Sequence, residues 1–216
     1  IIKKTWKRIC HSNIYLLNRP QKKFLNIIYD EKYPVYNYKK YLGNFINSFR
    51  DKYQFKKIEV INKYLKNFDN IIDVGSGGGD FLRIFRNLTK KKLNYYGLDF
   101  SDLAIRSLKS QNFKVVKKRF ETLDVKKFKN FFGAICMFQI LEHLEDPNLT
   151  LKKAYKLLRK KGVIIIETPN INTLDYNIFG KYWGGWHAPR HWNIMEKSFL
   201  EKLLIKNNFK IITSKS

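Results

Sequence analysis

A chain of 216 residues with 44% hydrophobic content is long enough for one domain with a full core, and its longest aliphatic run, at residues 163–166, is far too short to span a bilayer. No repeat, low-complexity linker or signal-peptide core stands out, and Cys10 and Cys136 lie far apart in no metal-like spacing, which points to a reducing, cytoplasmic setting and no bound metal. The net charge of +25 invites a nucleic-acid reading, but only nine of the 43 basic residues are arginine and the lysines are spread along helix faces (Lys152, Lys153, Lys156, Lys160, Lys161), so A- and T-rich codon usage explains the excess better than a nucleic-acid groove.

Residues 1–50 read as an aromatic, irregular lead-in with Tyr33-Pro34, Tyr36, Tyr38 and Tyr41, expected to form part of a site cover. Residues 51–216 read as the main domain. A helix over 51–67 is expected from Phe55, Ile58, Ile61 and Leu65 at helical spacing. Strands are expected near 70–74, 95–99, 114–116, 134–138, 163–167 and 210–214. Three helices between them show apolar faces: Phe81, Ile84, Phe85 and Leu88; Leu151, Ala154, Tyr155 and Leu158; Phe199, Leu200, Leu203 and Leu204. Lys161-Gly162 reads as the C-terminal stop of the second. Such alternation predicts an α/β fold, a Rossmann-like, doubly wound and mostly parallel sheet with helices on both faces. Ligands of such sheets bind beyond the carboxyl ends of the strands, so the residues after each strand are the ones to read.

After the first strand the chain runs Asp73-Val74-Gly75-Ser76-Gly77-Gly78-Gly79-Asp80. Glycines there allow close approach of a ligand to the backbone, with a helix N-terminus behind them. Asp80 occupies the third glycine position of the dinucleotide fingerprint, and no Gly-Lys-Ser/Thr of a phosphate-binding loop occurs. A strand–turn–helix with no ligand is the bland alternative. After the second strand, Asp99 lies a little over twenty residues on, where a carboxylate can accept from ribose hydroxyls; Asp99 or Ser101 could instead cap the helix starting near Asp102. After the third, Arg119-Phe120-Glu121 offers an aromatic ring that suits a base or the core equally. After the fourth comes Gln139-Ile140-Leu141-Glu142-His143-Leu144-Glu145-Asp146-Pro147, with Asp146-Pro147 as a helix start. After the fifth, an aromatic excursion over 171–192 carries Tyr176, Phe179, Tyr182, Trp183, Trp186, His187 and Pro189-Arg190-His191-Trp192. It reads as a satellite core, as a lid over substrate, or as both; a membrane-facing surface is a third reading. Asn193 with Glu196 is expected to cap the last helix.

The pattern Asp73-x-Gly75-x-Gly77-x-Gly79, the later Asp99, the Leu141-Glu142-His143 segment and Pro189-Arg190-His191 together resemble the class I S-adenosylmethionine-dependent methyltransferases, in a branch acting on small molecules, quinone precursors and glycans. The resemblance covers roughly residues 33–214. It implies S-adenosyl-L-methionine as cofactor, held by Asp73, Gly75, Ser76, Gly77, Gly79, Asp99, Phe100, Phe120, Phe138 and Gln139. Arg119 departs from the family, which often has an acidic residue there. The base is sought among His191, His143 and His187, in that order, because imidazole titrates near neutral pH; His143 could equally brace its loop. The implied function is O-methylation of a small-molecule, glycan or lipid-linked acceptor, with peripheral membrane contact as an accompanying expectation. The Asn/Asp-Pro-Pro-aromatic motif of enzymes that methylate nucleic-acid bases is absent, which disfavours nucleic acid; RNA or protein methylation and a non-catalytic cofactor-binding protein are the alternatives. The family's final reversed strand has no counterpart before Ser216, so it is expected to be missing from this chain.

Overall fold

The structure is a computed structural model that describes residues 6–9, 13–29 and 44–216. The described residues fall into two compact units. One contains Tyr29–Met137 and Lys156–Ile165; the other contains Ile1–Ile28, Phe138–Tyr155 and Ile166–Ser216. Tyr33, Pro34, Tyr36, Tyr38, Tyr41 and Cys10 of the lead-in lie outside the described residues.

The first unit is built on a five-stranded sheet of β3 (Asn70–Val74), β4 (Asn94–Asp99), β5 (Lys114–Lys117), β6 (Phe132–Phe138) and β7 (Leu158–Glu167), in the order β5-β4-β3-β6-β7. The β3–β4, β4–β5 and β3–β6 ladders are all parallel. Ile71, Ile72, Ala134, Ile135, Cys136 and Met137 are completely buried, as the apolar runs of a sheet covered on both faces require. Strand order reverses at β3, which puts the glycine turn at the switch point.

Helix α1 (Asn44–Asn62) begins earlier and ends earlier than the spacing predicts. Ile58 and Ile61 are buried as expected, whereas Phe55 is exposed. Helix α2 (Asp80–Leu88) buries Phe81, Leu82, Ile84 and Phe85; Leu88, at its last turn, faces water. Helix α3 (Asp102–Ser110) buries Ala104, Ile105 and Leu108. Below the sheet, Arg159 donates from Nε to Asp69 Oδ1 at 2.8 Å and from Nη2 to the Tyr64 carbonyl at 3.0 Å. The guanidinium beside Asp69 outweighs its partial burial and holds that carboxyl below its ordinary value.

In the second unit, β1 (Trp6–Ile9), β2 (Asn13–Leu16) and β8 (Asn193–Met195) form an antiparallel sheet in that order. The lead-in is therefore partly a paired hairpin rather than irregular. Helix α4 (Pro147–Leu157) starts where Asp146-Pro147 predicts, with Asp146 Oδ1 accepting from Leu149 N at 3.0 Å. Its Tyr155 is exposed. Further out lie α5 (Leu174–Phe179) and α6 (Lys197–Lys206).

Three local expectations fail for identifiable reasons. Lys161-Gly162 lies inside β7 and is not a helix stop, because Lys161 itself takes the left-handed conformation (φ 62°) and the strand continues. Glu196 is the N-cap of α6 but makes no side-chain cap bond, and Asn193 belongs to β8, where its amide donates to the Leu144 carbonyl at 2.7 Å. Residues 210–214 form no strand. A strand needs a ladder partner, and the segment pairs with none; Ile212 is 56% exposed.

Candidate functional site

The glycine turn follows β3 and owes its shape to three left-handed glycines, Gly75 (φ 69°), Gly77 (φ 50°) and Gly79 (φ 81°). Four of its N–H groups are occupied inside the protein. Gly75 N and Ser76 N donate to the Leu98 carbonyl at 2.8 and 3.1 Å, Gly79 N to the Ser76 carbonyl at 2.9 Å, and Gly77 N to Asp99 Oδ2 at 3.0 Å. With these four donors engaged, the turn itself offers few N–H groups to an anion, in line with the absence of a dinucleotide or P-loop pattern in its sequence. It fits a ligand without phosphate at this place, such as S-adenosylmethionine.

Asp99 closes the turn from β4. Its Oδ1 accepts from Ser101 N at 2.9 Å, while Ser101, the N-cap of α3, makes no side-chain cap bond. The carboxylate keeps a remaining lone-pair direction suited to a hydroxyl donor. Burial pushes the Asp99 carboxyl up from its ordinary value, partly offset by the N–H groups of Ser101, Gly77 and Phe100. Asp73 lies on β3 opposite Gly97 and Cys136. Burial, reinforced by the Asp99 charge and opposed by Lys57, pushes its carboxyl up to about 8. Ser76 is buried and points its Oγ toward the Leu98 carbonyl at 3.4 Å.

Phe100 meets Tyr29 edge-on at 5.7 Å and lies under the Arg119 guanidinium at 5.9 Å; Arg119 pairs with Glu121 at 2.9 Å. Phe120 is 2% exposed and ranks among the largest fully buried side chains. Between the two roles the sequence leaves open for that ring, burial favours the core.

Two residues that sequence reasoning passed over hold the turn. A Cβ at Gly97 would lie 2.6 Å from both Leu108 methyls and 2.9 Å from Ser76 Oγ; one at Gly79 would lie 2.9 Å from Leu108 Cδ2. Leu108, 0% exposed, thus seats α3 against both glycines. Only the missing side chain at position 97 could have signalled this.

In the second unit, Gln139 adopts φ 55°, and its backbone N and side-chain Nε2 both donate to Glu167, at 2.7 and 3.2 Å. Phe138 ends β6. Three histidines gather here. The His143 and His191 ring centroids are 4.7 Å apart, those of His187 and His191 5.0 Å. His143 Nδ1 is 2.9 Å from the Arg190 carbonyl and His191 Nδ1 2.7 Å from the Gly185 carbonyl. Each Nδ1 therefore carries the proton, because a carbonyl only accepts. Burial pulls His143 down to about 4 and, helped by the neighbouring His143 ring, pulls His191 down to about 3. His187 is exposed and its value is lowered by partial burial and by Arg190. Glu142, 0% exposed, accepts at Oε2 from Thr168 Oγ1 at 3.0 Å, and burial pushes it up to about 8.

Arg19 organises this unit and gave no signal in the sequence. It donates to the carbonyls of Leu16 (3.3 Å) and Glu145 (2.8 Å) and to Asn193 Oδ1 (3.3 Å), with its guanidinium over the Tyr15 and Trp192 rings. The aromatic excursion forms a satellite core: Ile14, Ile171, Trp183 and Ile194 pack together with Tyr176 and Trp186 against them. Both tryptophan N–H groups are satisfied, Trp183 by Asp175 Oδ2 at 2.7 Å and Trp186 by the Gly180 carbonyl at 2.8 Å. Leu174, Ile178, Phe179 and Tyr182 remain exposed. Among the described residues no helix is long and apolar enough to cross a membrane.

Comparison with known proteins gives a consistent result. A methyltransferase-domain family model matches residues 46–214. The chain is 30% identical over 125 residues to the carboxy-S-adenosyl-L-methionine synthase of Staphylococcus epidermidis, covering 52% of each. It is 28% identical over 123 residues to the ubiquinone biosynthesis O-methyltransferase of Pelagibacter ubique, covering 56% of this chain and 50% of that protein. The chain spans about half the length of these curated relatives. The solved 1,6-didemethyltoxoflavin-N1-methyltransferase of Burkholderia thailandensis, which holds S-adenosylhomocysteine, superposes with a TM-score of 0.64 at 14% identity over 97% of this chain and 90% of that one.

Proposed function

Because the chain belongs to the methyltransferase-domain family of class I, S-adenosylmethionine-dependent enzymes, we propose that it transfers a methyl group to a hydroxyl oxygen of a small-molecule acceptor. The observation that carries the cofactor assignment is the Asp99 carboxylate set 3.0 Å from Gly77 N at the reversal of strand order. Gly75, Ser76, Gly77 and Gly79 with Asp73 are assigned the amino acid end of the cofactor, Asp99 and Phe100 the ribose side, and Phe138 and Gln139 the methionine portion.

When bound, S-adenosylmethionine supplies a strongly electrophilic methyl group. The residues then need to align an acceptor and take its proton, and orientation provides much of the acceleration. In this proposal exposure puts His187 ahead of His191 and His143. His191 is buried and His143 half-buried, both are tied by Nδ1 to carbonyls, and their lowered values make them weak bases. His187 is exposed, and its Nε2 accepts from the Arg190 guanidinium at 3.4 Å, a contact that must open before the ring can take a substrate proton. His187 is the base in this proposal, with His143 and His191 supporting the segment that carries it. The O-methyltransferase from Pelagibacter supports an oxygen acceptor. Exposed Leu174, Ile178 and Tyr182 beside Lys181 support an acceptor presented at an anionic lipid surface. The buried free thiol of Cys136 supports a cytoplasmic setting.

The test is transfer from methyl-labelled cofactor into a small-molecule extract, followed by mass analysis. Label in a methyl ether is expected, with turnover reduced at least tenfold in His187→Ala while S-adenosylhomocysteine still binds. Label on nitrogen or in RNA would refute the oxygen assignment. The Staphylococcus relative favours a second reading, chemistry on the cofactor itself; a mass change in the cofactor without a methylated acceptor would establish it.

A further inference from the structure

Glu142, His143 and His191 present one ligand atom each within 4.8 Å of one another, all inside the second unit. His143 Nε2 lies 4.0 Å and His191 Nε2 3.9 Å from the same oxygen, Glu142 Oε1. That oxygen is buried and has no hydrogen-bond partner. A buried carboxylate oxygen without a partner is costly, and native structures rarely leave one so. Glu142 Oε2 is by contrast anchored by Thr168.

The surroundings of the ligand atoms are those of a metal centre. Ligating histidines hold their other ring nitrogen on a carbonyl or carboxylate, which fixes tautomer and ring direction. Here the Arg190 and Gly185 carbonyls do so at Nδ1, turning both Nε2 atoms toward Glu142. Two imidazoles and one carboxylate are a donor set used for zinc, with a fourth position open. A cation about 2 Å from each donor needs donors about 3.3 Å apart in tetrahedral geometry, so the 3.9 and 4.0 Å spacings to Glu142 must each close by about 0.6–0.7 Å on binding. Two imidazole donors select a borderline transition-metal ion over magnesium or calcium, which prefer oxygen.

We propose that Glu142, His143 and His191 form a binding site for a borderline divalent transition-metal cation of the zinc type, which ties the Leu141–His143 turn to the segment ending at His191. The site is independent of the acceptor chemistry proposed above. Its competitor is a metal-free cluster in which these side chains only pack.

The experiment uses the full chain, stripped with chelator and then titrated with zinc chloride by calorimetry, with cobalt(II) absorption as a second readout. One zinc per chain is expected, with tetrahedral or five-coordinate cobalt bands, a raised melting temperature, and no binding of magnesium. Glu142→Gln, which keeps the Thr168 acceptor, and His191→Gln are each expected to weaken binding at least tenfold. Cys10→Ser/His11→Gln is expected to bind zinc as the parent does. Circular dichroism confirms that the variants are folded; should His191→Gln fail to fold, Glu142→Gln alone decides. Absence of stoichiometric zinc binding, undiminished binding in folded Glu142→Gln, or loss of binding in Cys10→Ser/His11→Gln would each overturn the proposal.

Discussion

Leu108 sets the requirement for glycine at position 97, beside the glycine turn. A methyl group at position 97 would meet both Leu108 methyls at 2.6 Å and Ser76 Oγ at 2.9 Å, well inside contact distance. Leu108 is fully buried and also bounds Gly79, so it has little room to retreat. Overpacking of this kind costs about 1–3 kcal/mol. Leu108→Ala alone opens a cavity and should cost about 2–5 kcal/mol. In the double variant the new methyl enters the space Leu108 vacates, so the double variant's cost should fall short of the sum of the two single costs by at least about 1 kcal/mol. Urea unfolding followed by circular dichroism gives the four stabilities. S-adenosylhomocysteine titration gives the functional arm: Gly97→Ala should weaken binding severalfold through Ser76, and the double variant should recover part of it. Additive stabilities would refute the argument that Leu108 sets the glycine requirement.

Further outcomes follow from the same packing and charges. Asp73 keeps its proton in the folded protein up to about pH 8, while in the unfolded chain it ionises near its ordinary value of 3.8. The folded state therefore binds more protons between those values, and this residue's contribution to stability is present at low pH and lost as pH rises through that window, at up to about 1.4 kcal/mol per pH unit. The stability of Asp73→Asn relative to the parent should rise from pH 5 to pH 8 in parallel denaturation curves; a constant difference would contradict the burial account, which counts Asp99, Cys136 and Lys57 as the groups facing it. Arg19→Lys keeps the charge but loses the planar fork that meets three acceptors, and should cost about 1–3 kcal/mol; an unchanged melting temperature would dismiss Arg19 as organiser of the second unit. Ile178→Asp should reduce co-sedimentation with anionic phosphatidylglycerol vesicles if exposed apolar residues of α5 contact lipid; equal sedimentation would remove that surface from the account.

The central strands were legible in the sequence because their apolar runs are bounded by turn residues. Asn70–Val74 matches its expected limits, and Asn94–Asp99 extends its by one residue. The glycine turn was legible because left-handed backbone leaves its mark in residue type. Where neighbours decide, the sequence was a poorer guide. Residues 210–214 carry strand formers but have no ladder partner, and Leu88 and Tyr155 fit a helical stripe yet face water. The histidines were visible as chemistry, but which imidazoles pack against carbonyls is a tertiary property. Glu142 was hidden in plain view: within a Leu-Glu-His run nothing distinguishes a buried glutamate from a solvated one.

The account rests on Asp99 and the turn it closes, and the most direct measurement is calorimetric titration of S-adenosylhomocysteine into the parent chain, Asp99→Ala and Gly77→Val. The parent should bind at one site. Asp99→Ala should bind at least tenfold more weakly, since it loses both the proposed ribose acceptor and the support of Gly77 N, and Gly77→Val should show no binding while remaining folded, because a branched side chain is strained at φ 50°. Equal affinity in all three proteins would contradict the assignment of the cofactor to this turn.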